Sequence, residues 1–225
     1  RSLIAAVLLA AYAAYRGLLW PVPRLWRLAV LGVILALVNV TFYLAIERLG
    51  VGPGATVQFL APIMVLVWMA VVRAERISVT AWVGAIAAVL GVSLVTEAWA
   101  MTGADVAGVV AGLASAALFS AYLIYGEVLG RDHAPATLGA WGFIFASVFW
   151  AVVLPWWNFP FDAASTVVGE LIVIGVIGTA AGFVFNLAAL RFASPGIVGI
   201  VATTEPAIAA VVALVLIDQT LVPIQ

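Results

Sequence analysis

Residues 42–63 read FYLAIERLGVGPGATVQFLAPI, and residues 185–208 read FNLAALRFASPGIVGIVATTEPAI. Both segments start Phe-x-Leu-Ala, reach an arginine (Arg48, Arg191) and pass a Pro-Gly pair (Pro53-Gly54, Pro195-Gly196). Both end on an apolar run holding one proline, Pro62 or Pro206. The copies are 143 residues apart at Phe42 and Phe185 and 144 apart at the two prolines, so the register slips inside the loop. Self-similarity at a fixed offset marks a chain built from repeated units. In a membrane protein it points to two related halves with a solute site between them.

The surrounding composition places the repeat in a membrane. The chain is 67% hydrophobic and 8% charged, whereas a soluble domain sits nearer half apolar and a quarter charged. There is no cysteine, so neither disulfides nor thiolate metal sites are available. Arginine carries all nine positive charges, and the absence of lysine excludes a P-loop, a Schiff base and a lysine base. A net charge of −1 offers no basic surface to nucleic acid. The single histidine, His133, has no second His or Cys with which to bind a metal. It also leaves no base inside the spans for a serine protease.

A bilayer-crossing helix needs about 20 apolar residues. Eight such stretches are read near 3–20, 28–46, 54–72, 79–97, 106–126, 137–156, 168–190 and 195–217. All are predicted to be helices, because lipid offers no partner to free backbone groups. Trp20, Trp26, Trp82, Trp99, Trp156 and Trp157 fall near span ends and read as interfacial anchors. Counting loops alternately puts Arg16, Arg24, Arg27, Arg73, Arg76, Arg131 and Arg191 on one side and Arg1 and Arg48 on the other. Positive charge stays inside, so the loops at 16–27, 73–78, 127–136 and near 191 are expected to face the cytoplasm. Glu47, Glu97, Asp105, Asp162 and Asp218 then face outward.

The repeat joins span two to span three in its first copy and span seven to span eight in its second. A shift of five spans is odd, and an odd shift reverses direction across the membrane. The expected architecture is therefore all-α, a polytopic membrane helix bundle made of an inverted repeat of two five-helix halves. Residues 1–97 form the first half without its first helix. Residues 106–225 form the second half without its last. Eight of ten helices would be present, with one more expected before Arg1 and one after Gln225.

Small residues recur at helical spacing in Gly108-x-x-x-Gly112-x-x-x-Ala116-x-x-x-Ser120, in Gly178-x-x-x-Gly182 and in Gly84-x-x-x-Ala88-x-x-Gly91. They allow close backbone approach, as a static packing contact or as a sliding seam. Glu205 lies about ten residues into the last span, and acids at that depth mark solute paths or proton relays. Pro206 after it, like Pro62 in the first copy, lacks an N–H and interrupts helical bonding. Ala61 stands where Glu205 stands in the second copy, so an acid function would be one-sided. Asn39, Tyr43, Gln58, Tyr122, Asn186 and Thr204 are candidates to line a polar path. Each alone is more often an interhelical hydrogen bond than a ligand contact.

Asn39-x-x-Phe42-Tyr43-Leu44-Ala45-Ile46 followed by Gly54-Ala55-Thr56-Val57-Gln58-Phe59-Leu60-Ala61-Pro62 resembles the first repeat of the EamA family in the drug/metabolite transporter superfamily. Glu75-Arg76-Ile77-Ser78 resembles its acid-containing loop. Thr204-Glu205-Pro206-Ala207-Ile208-Ala209-Ala210-Val211 and Gln219-Thr220-Leu221-Val222-Pro223 resemble the second repeat, although Asp218-Gln219 replaces the usual Gly-Glu. With His133-Ala134-Pro135-Ala136-Thr137, these stretches look most like the threonine/homoserine exporters. The resemblance implies export of amino acids or other small metabolites across the bacterial inner membrane by alternating access with proton exchange. It implies no cofactor and no partner besides solute and lipid, and leaves the oligomeric state open. A non-transporting scaffold or a truncated remnant is the alternative. A membrane enzyme is disfavoured, since no acid pair, metal set or Ser/His pair lies in the spans.

Overall fold

Glycine and proline decide where the helices begin and end. In the computed structural model, residues 1–20, 22–95, 105–154, 157, 166–206 and 208 are described, and all regular structure among them is helical. Glu97, Trp99, Met101–Gly103, Trp156, Pro160, Asp162, Ala207 and the run from Ala209 to Gln225, which includes Asp218, lie outside the described residues.

Helix α1 covers Ser2–Tyr15, shorter than the 3–20 expected. Gly17, at φ 67°, ends it. The Leu18 N–H donates to the Ala13 carbonyl at 2.7 Å and the Gly17 N–H to that of Ala14 at 3.0 Å. This is a Schellman cap, and its left-handed residue suits glycine. Helix α2 runs Leu25–Leu49. Gly50, at φ 88°, turns the chain into α3, Val51–Gln58, which α4, Ala61–Val71, follows. Helix α5 is Val79–Val95, and the Ser78 hydroxyl accepts the Ala81 N–H at its start. Helix α6 is Val106–Gly130 and α7 is Pro135–Val153. The seventh span is composite: α8 (Val168–Val173), a π-helical segment (Ile174–Ala181) and α9 (Gly182–Ala189). Thr179 Oγ1 donates to the Ile174 carbonyl, five residues back, at 3.0 Å within that wide turn. Helix α10 is Pro195–Ala202. Proline sits in the first turn of α4, α7 and α10, where its missing N–H costs nothing.

Among the described residues, five apolar helical stretches are long enough to cross a bilayer: 25–49, 51–71, 106–130, 135–153 and 168–189. Helices 2–15 and 79–94 are shorter and equally apolar. The chain is thus an all-α polytopic membrane bundle. It divides into two compact units. Unit one holds residues 1–36 and 124–193, and unit two holds 37–123 and 194–225.

In unit one, α1 packs on α7 and on the π segment. Its core gathers Ala5, Ala6, Phe143 and Ala180, with Leu9, Ile144 and Phe183 against them. The strap after α1 is tied down. Thr137 Oγ1 donates to the Leu18 carbonyl at 2.9 Å, and Trp141 Nε1 donates to that of Leu19 at 3.2 Å. Arg27 meets Asp132 at 3.6 Å, so the loops at 16–27 and 127–136 share one face. In unit two, α4 packs on α10 and α5. Arg48 Nη1 donates to Asp105 Oδ2 at 3.0 Å, so these two groups also share a face. The charge count puts each pair on a common side.

The small-residue motifs separate into two kinds. A Cβ on Gly112 would lie 2.7 Å from Val57 Cγ1, and one on Gly108 would lie 2.7 Å from Leu49 Cγ. Helix α6 therefore approaches α2 and α3 closely there. Gly84, Gly91 and Gly182 have nothing within 4 Å, and Gly178 meets only its own helix.

Candidate functional site

In both copies of the repeat the helix is broken three and two residues before the proline. Phe59 (φ −72°, ψ 6°) follows α3, and Thr203 (φ −70°, ψ −5°) follows α10. In the first copy the Leu60 N–H turns to the Val57 carbonyl at 3.2 Å; in the second the Thr204 N–H turns to that of Val201 at 3.0 Å. Both are tight i→i−3 bonds in place of the α-helical spacing. In an unbroken helix, Pro62 would donate to the Gln58 carbonyl and Pro206 to the Ala202 carbonyl, but neither proline has an N–H.

Helix resumes at Ala61 in the first copy and at Glu205-Pro206 in the second. The two broken segments meet in unit two. A Cβ on Gly199 would lie 3.5 Å from both Cα and Cβ of Pro62 and 3.3 Å from Leu123 Cδ1. Gly196 faces Leu66 in the same way.

Polar groups from α2, α3 and α6 converge beside the first break. Gln58 Nε2 donates to Ser115 Oγ at 3.0 Å, and Ser115 Oγ donates to the Val38 carbonyl at 3.1 Å. One turn along α6, Ser120 Oγ donates to the Ala61 carbonyl at 3.0 Å, across the break, and to the Ala116 carbonyl at 2.8 Å. Close packing at Gly108 and Gly112 brings α6 near enough for both serines to reach.

Of the residues singled out from sequence, Asn39, Tyr43, Gln58, Pro62, Tyr122, Thr204, Glu205 and Pro206 belong to unit two. Asn39 is half-buried on α2, directly after Val38, and Tyr43 one turn on is 39% exposed. Tyr122 is 0% exposed and stacks on Phe119 with ring centroids 5.8 Å apart, so it packs within the core. Thr203 and Thr204 turn their hydroxyls back onto Ile200 and Val201 at 2.6 and 2.7 Å. Glu205 is exposed rather than enclosed. Asn186 lies in α9 of unit one. The roles of Ser115 and Ser120 as cross-helix donors were not assigned from sequence. The signal was there at helical spacing: Gly112 lies three residues before Ser115, and Ala116 lies four before Ser120.

An apolar bundle of long helices, two of them interrupted at the same register of an internal repeat, defines a polytopic membrane protein of transporter architecture. The chain matches the EamA-like transporter family over residues 1–97 and 106–225, and it belongs to that family. It is similar to the threonine/homoserine exporter RhtA of Escherichia coli (strain K12) and to RhtA of Salmonella typhimurium (strain LT2). It is 27% identical to each over 203 residues, 86% of this chain. The chain spans 64% of the length of these relatives. It is also similar to a solved crystal structure of a protein, with a TM-score of 0.77 at 16% identity, covering 98% of this chain and 77% of that one. At that identity the likeness concerns the fold alone.

Proposed function

We propose that this chain forms the helical core of a secondary exporter in the bacterial inner membrane. Its solutes are small polar metabolites, amino acids such as threonine and homoserine among them. The observation that carries the reading is the matched break, at Phe59-Leu60 and at Thr203-Thr204. Transporters place discontinuous helices at the centre of the bilayer, where unwound backbone supplies polar groups to a solute. Non-helical backbone at that depth is tolerated where it lines a cavity or is buried in protein.

The five-span shift makes the two copies inverted, which gives the bundle two near-equivalent arrangements, one open to each side. Each break is a point where the two segments of a helix can pivot without losing a full turn of hydrogen bonds. Asn39, Tyr43, Gln58 and Thr204, all of unit two, supply the polar path. Tyr122 supports it from behind. Glu205, at the first residue of the resumed helix, takes up and releases the exchanged proton. Its carboxylate is costly at membrane depth unless water, solute or a partner meets it. No nucleotide motif is present in the sequence, so a gradient supplies the energy.

Counterflow in proteoliposomes tests the reading. Full-length protein loaded with unlabelled threonine is expected to accumulate external labelled threonine. Glu205→Gln is expected to keep this exchange and lose uptake driven by an imposed pH gradient. Lack of counterflow removes the exporter reading, and undiminished driven uptake in Glu205→Gln removes Glu205 from the coupling step.

A further inference from the structure

We propose that Ser115 is a positioning residue that fixes the Gln58 side chain as a hydrogen-bond acceptor toward the solute, so that the site selects solutes carrying an ammonium group. The assignment rests on the exporter reading and adds to it the chemistry of one contact.

A serine hydroxyl has one proton and two lone pairs. Ser115 is 0% exposed, and its proton goes to the Val38 carbonyl at 3.1 Å. Its oxygen can then only accept from Gln58, and it accepts from Nε2 at 3.0 Å. A carboxamide turned the other way would set its oxygen against an oxygen that has already spent its proton. The relay therefore leaves Oε1 as the end of Gln58 that remains to accept. Gln58 is half-buried, at the last turn of α3 before the break.

A second acceptor lies on the same residue. The Gln58 carbonyl has Pro62 at its i+4 position, and proline has no N–H to give. One residue thus offers two oxygens at the point where the helix opens. Two acceptors repel a carboxylate and bind an ammonium, which has only donors to give. Hydrogen bonds to a charged group are also the stronger kind. An α-amino acid would then enter with its ammonium toward Gln58.

Inhibition of threonine counterflow by two probes separates the possibilities. Threoninol keeps the ammonium and lacks the carboxylate. 3-Hydroxybutanoate keeps the carboxylate and hydroxyl and lacks the ammonium. The unaltered protein is expected to prefer threoninol by roughly tenfold or more, the size of one charge-assisted hydrogen bond. Gln58→Glu, which adds a negative charge beside the ammonium, raises the preference. Gln58→Leu loses it. Ser115→Ala lets the amide turn and lowers the preference several-fold, and Ser115→Thr restores it.

If Ser115→Ala fails to fold, Ser115→Cys, a weaker hydrogen-bond partner of similar size, takes its place and is expected to lower the preference. Counterflow with an unchanged preference in Gln58→Leu and Ser115→Ala overturns the assignment and leaves the exporter reading standing. Loss of the preference in Gln58→Glu also overturns it. Counterflow that is absent from the unaltered protein defeats the exporter reading itself.

Discussion

Replacing Gly112 by alanine joins helix packing to the polar site in one perturbation. The added Cβ would lie 2.7 Å from Val57 Cγ1 and 2.9 Å from Val57 Cβ. Val57 is β-branched, so its Cβ is fixed by the backbone of α3 and its rotamer is stiff. Relief must come from moving helices. Restoring an ordinary carbon–carbon separation of about 3.5 Å from 2.9 Å needs a shift of roughly 0.6 Å.

Ser115 is three residues along α6, on the same face, and moves with it. A shift of that size stretches the 3.0 Å Gln58–Ser115 bond to about 3.6 Å, beyond useful hydrogen-bond range. Overpacking costs about 1–3 kcal/mol. The lost cross-helix bond adds about 0.6 kcal/mol in a membrane protein. The gain in helix propensity from glycine to alanine returns up to about 1 kcal/mol. A net loss of about 1–3 kcal/mol is expected.

Gly84→Ala is the matched control. It sits in α5, gains the same propensity and has nothing within 4 Å of its new Cβ. It is expected to be neutral or slightly stabilising. Reversible unfolding in mixed micelles with increasing sodium dodecyl sulfate, followed by far-UV circular dichroism, measures both. Equal stability of the two variants would refute the packing reasoning, because helix propensity cancels between them.

Gly32→Ala should be more damaging still, since its Cβ would lie 2.6 Å from the Gly142 carbonyl and 2.5 Å from Phe145 Cβ. Those atoms belong to or are fixed by the α7 backbone, so the cost is expected at or above about 3 kcal/mol in the same assay. Asp105 gives a pH signature. The hydrogen bond from Arg48 holds its carboxyl below the ordinary value of 3.8, and the Ala107 and Gly108 N–H groups add to the effect. A lowered folded value contributes stability above the unfolded one, and that contribution is lost as pH falls through the folded value. Asp105→Asn is therefore expected to lower stability at neutral pH and flatten the acid limb below about pH 4, measured as unfolding midpoint against pH.

Much of this fold was legible because lipid leaves so few choices. Apolar length gave five of the eight expected spans at full length among the described residues, and the Phe-x-Leu-Ala to proline pattern marks the duplication. Span ends were harder. Gly17 after Arg16 carries a helix-stop signal, yet apolar residues continue through Leu18 and Leu19. The structure ends α1 at Tyr15 because a Schellman cap satisfies carbonyls that hydrophobicity alone leaves open.

The small-residue motifs were indistinguishable as sequence. Contacts separate them: Gly108 and Gly112 meet neighbouring helices, while Gly84 and Gly182 meet nothing close. Gln58 was legible as a polar group in an apolar run. Its partner was not, because pairing Gln58 with Ser115, 57 residues away, depends on how α6 docks. The π turn at Ile174–Ala181 had no sequence signature beyond Thr179 among glycines and alanines.

The inverted duplication is tested most directly by single-cysteine labelling; residues 1–225 carry no cysteine of their own. Val51 opens α3 directly after the Gly50 turn and Phe192 lies in the turn before α10; they are 72% and 91% exposed. Val51→Cys and Phe192→Cys in the full-length protein would be treated with a membrane-impermeant maleimide in vesicles of known orientation. Reaction of the two positions from opposite sides of the membrane is expected. Reaction of both from the same side would contradict the inversion and the solute route built on it.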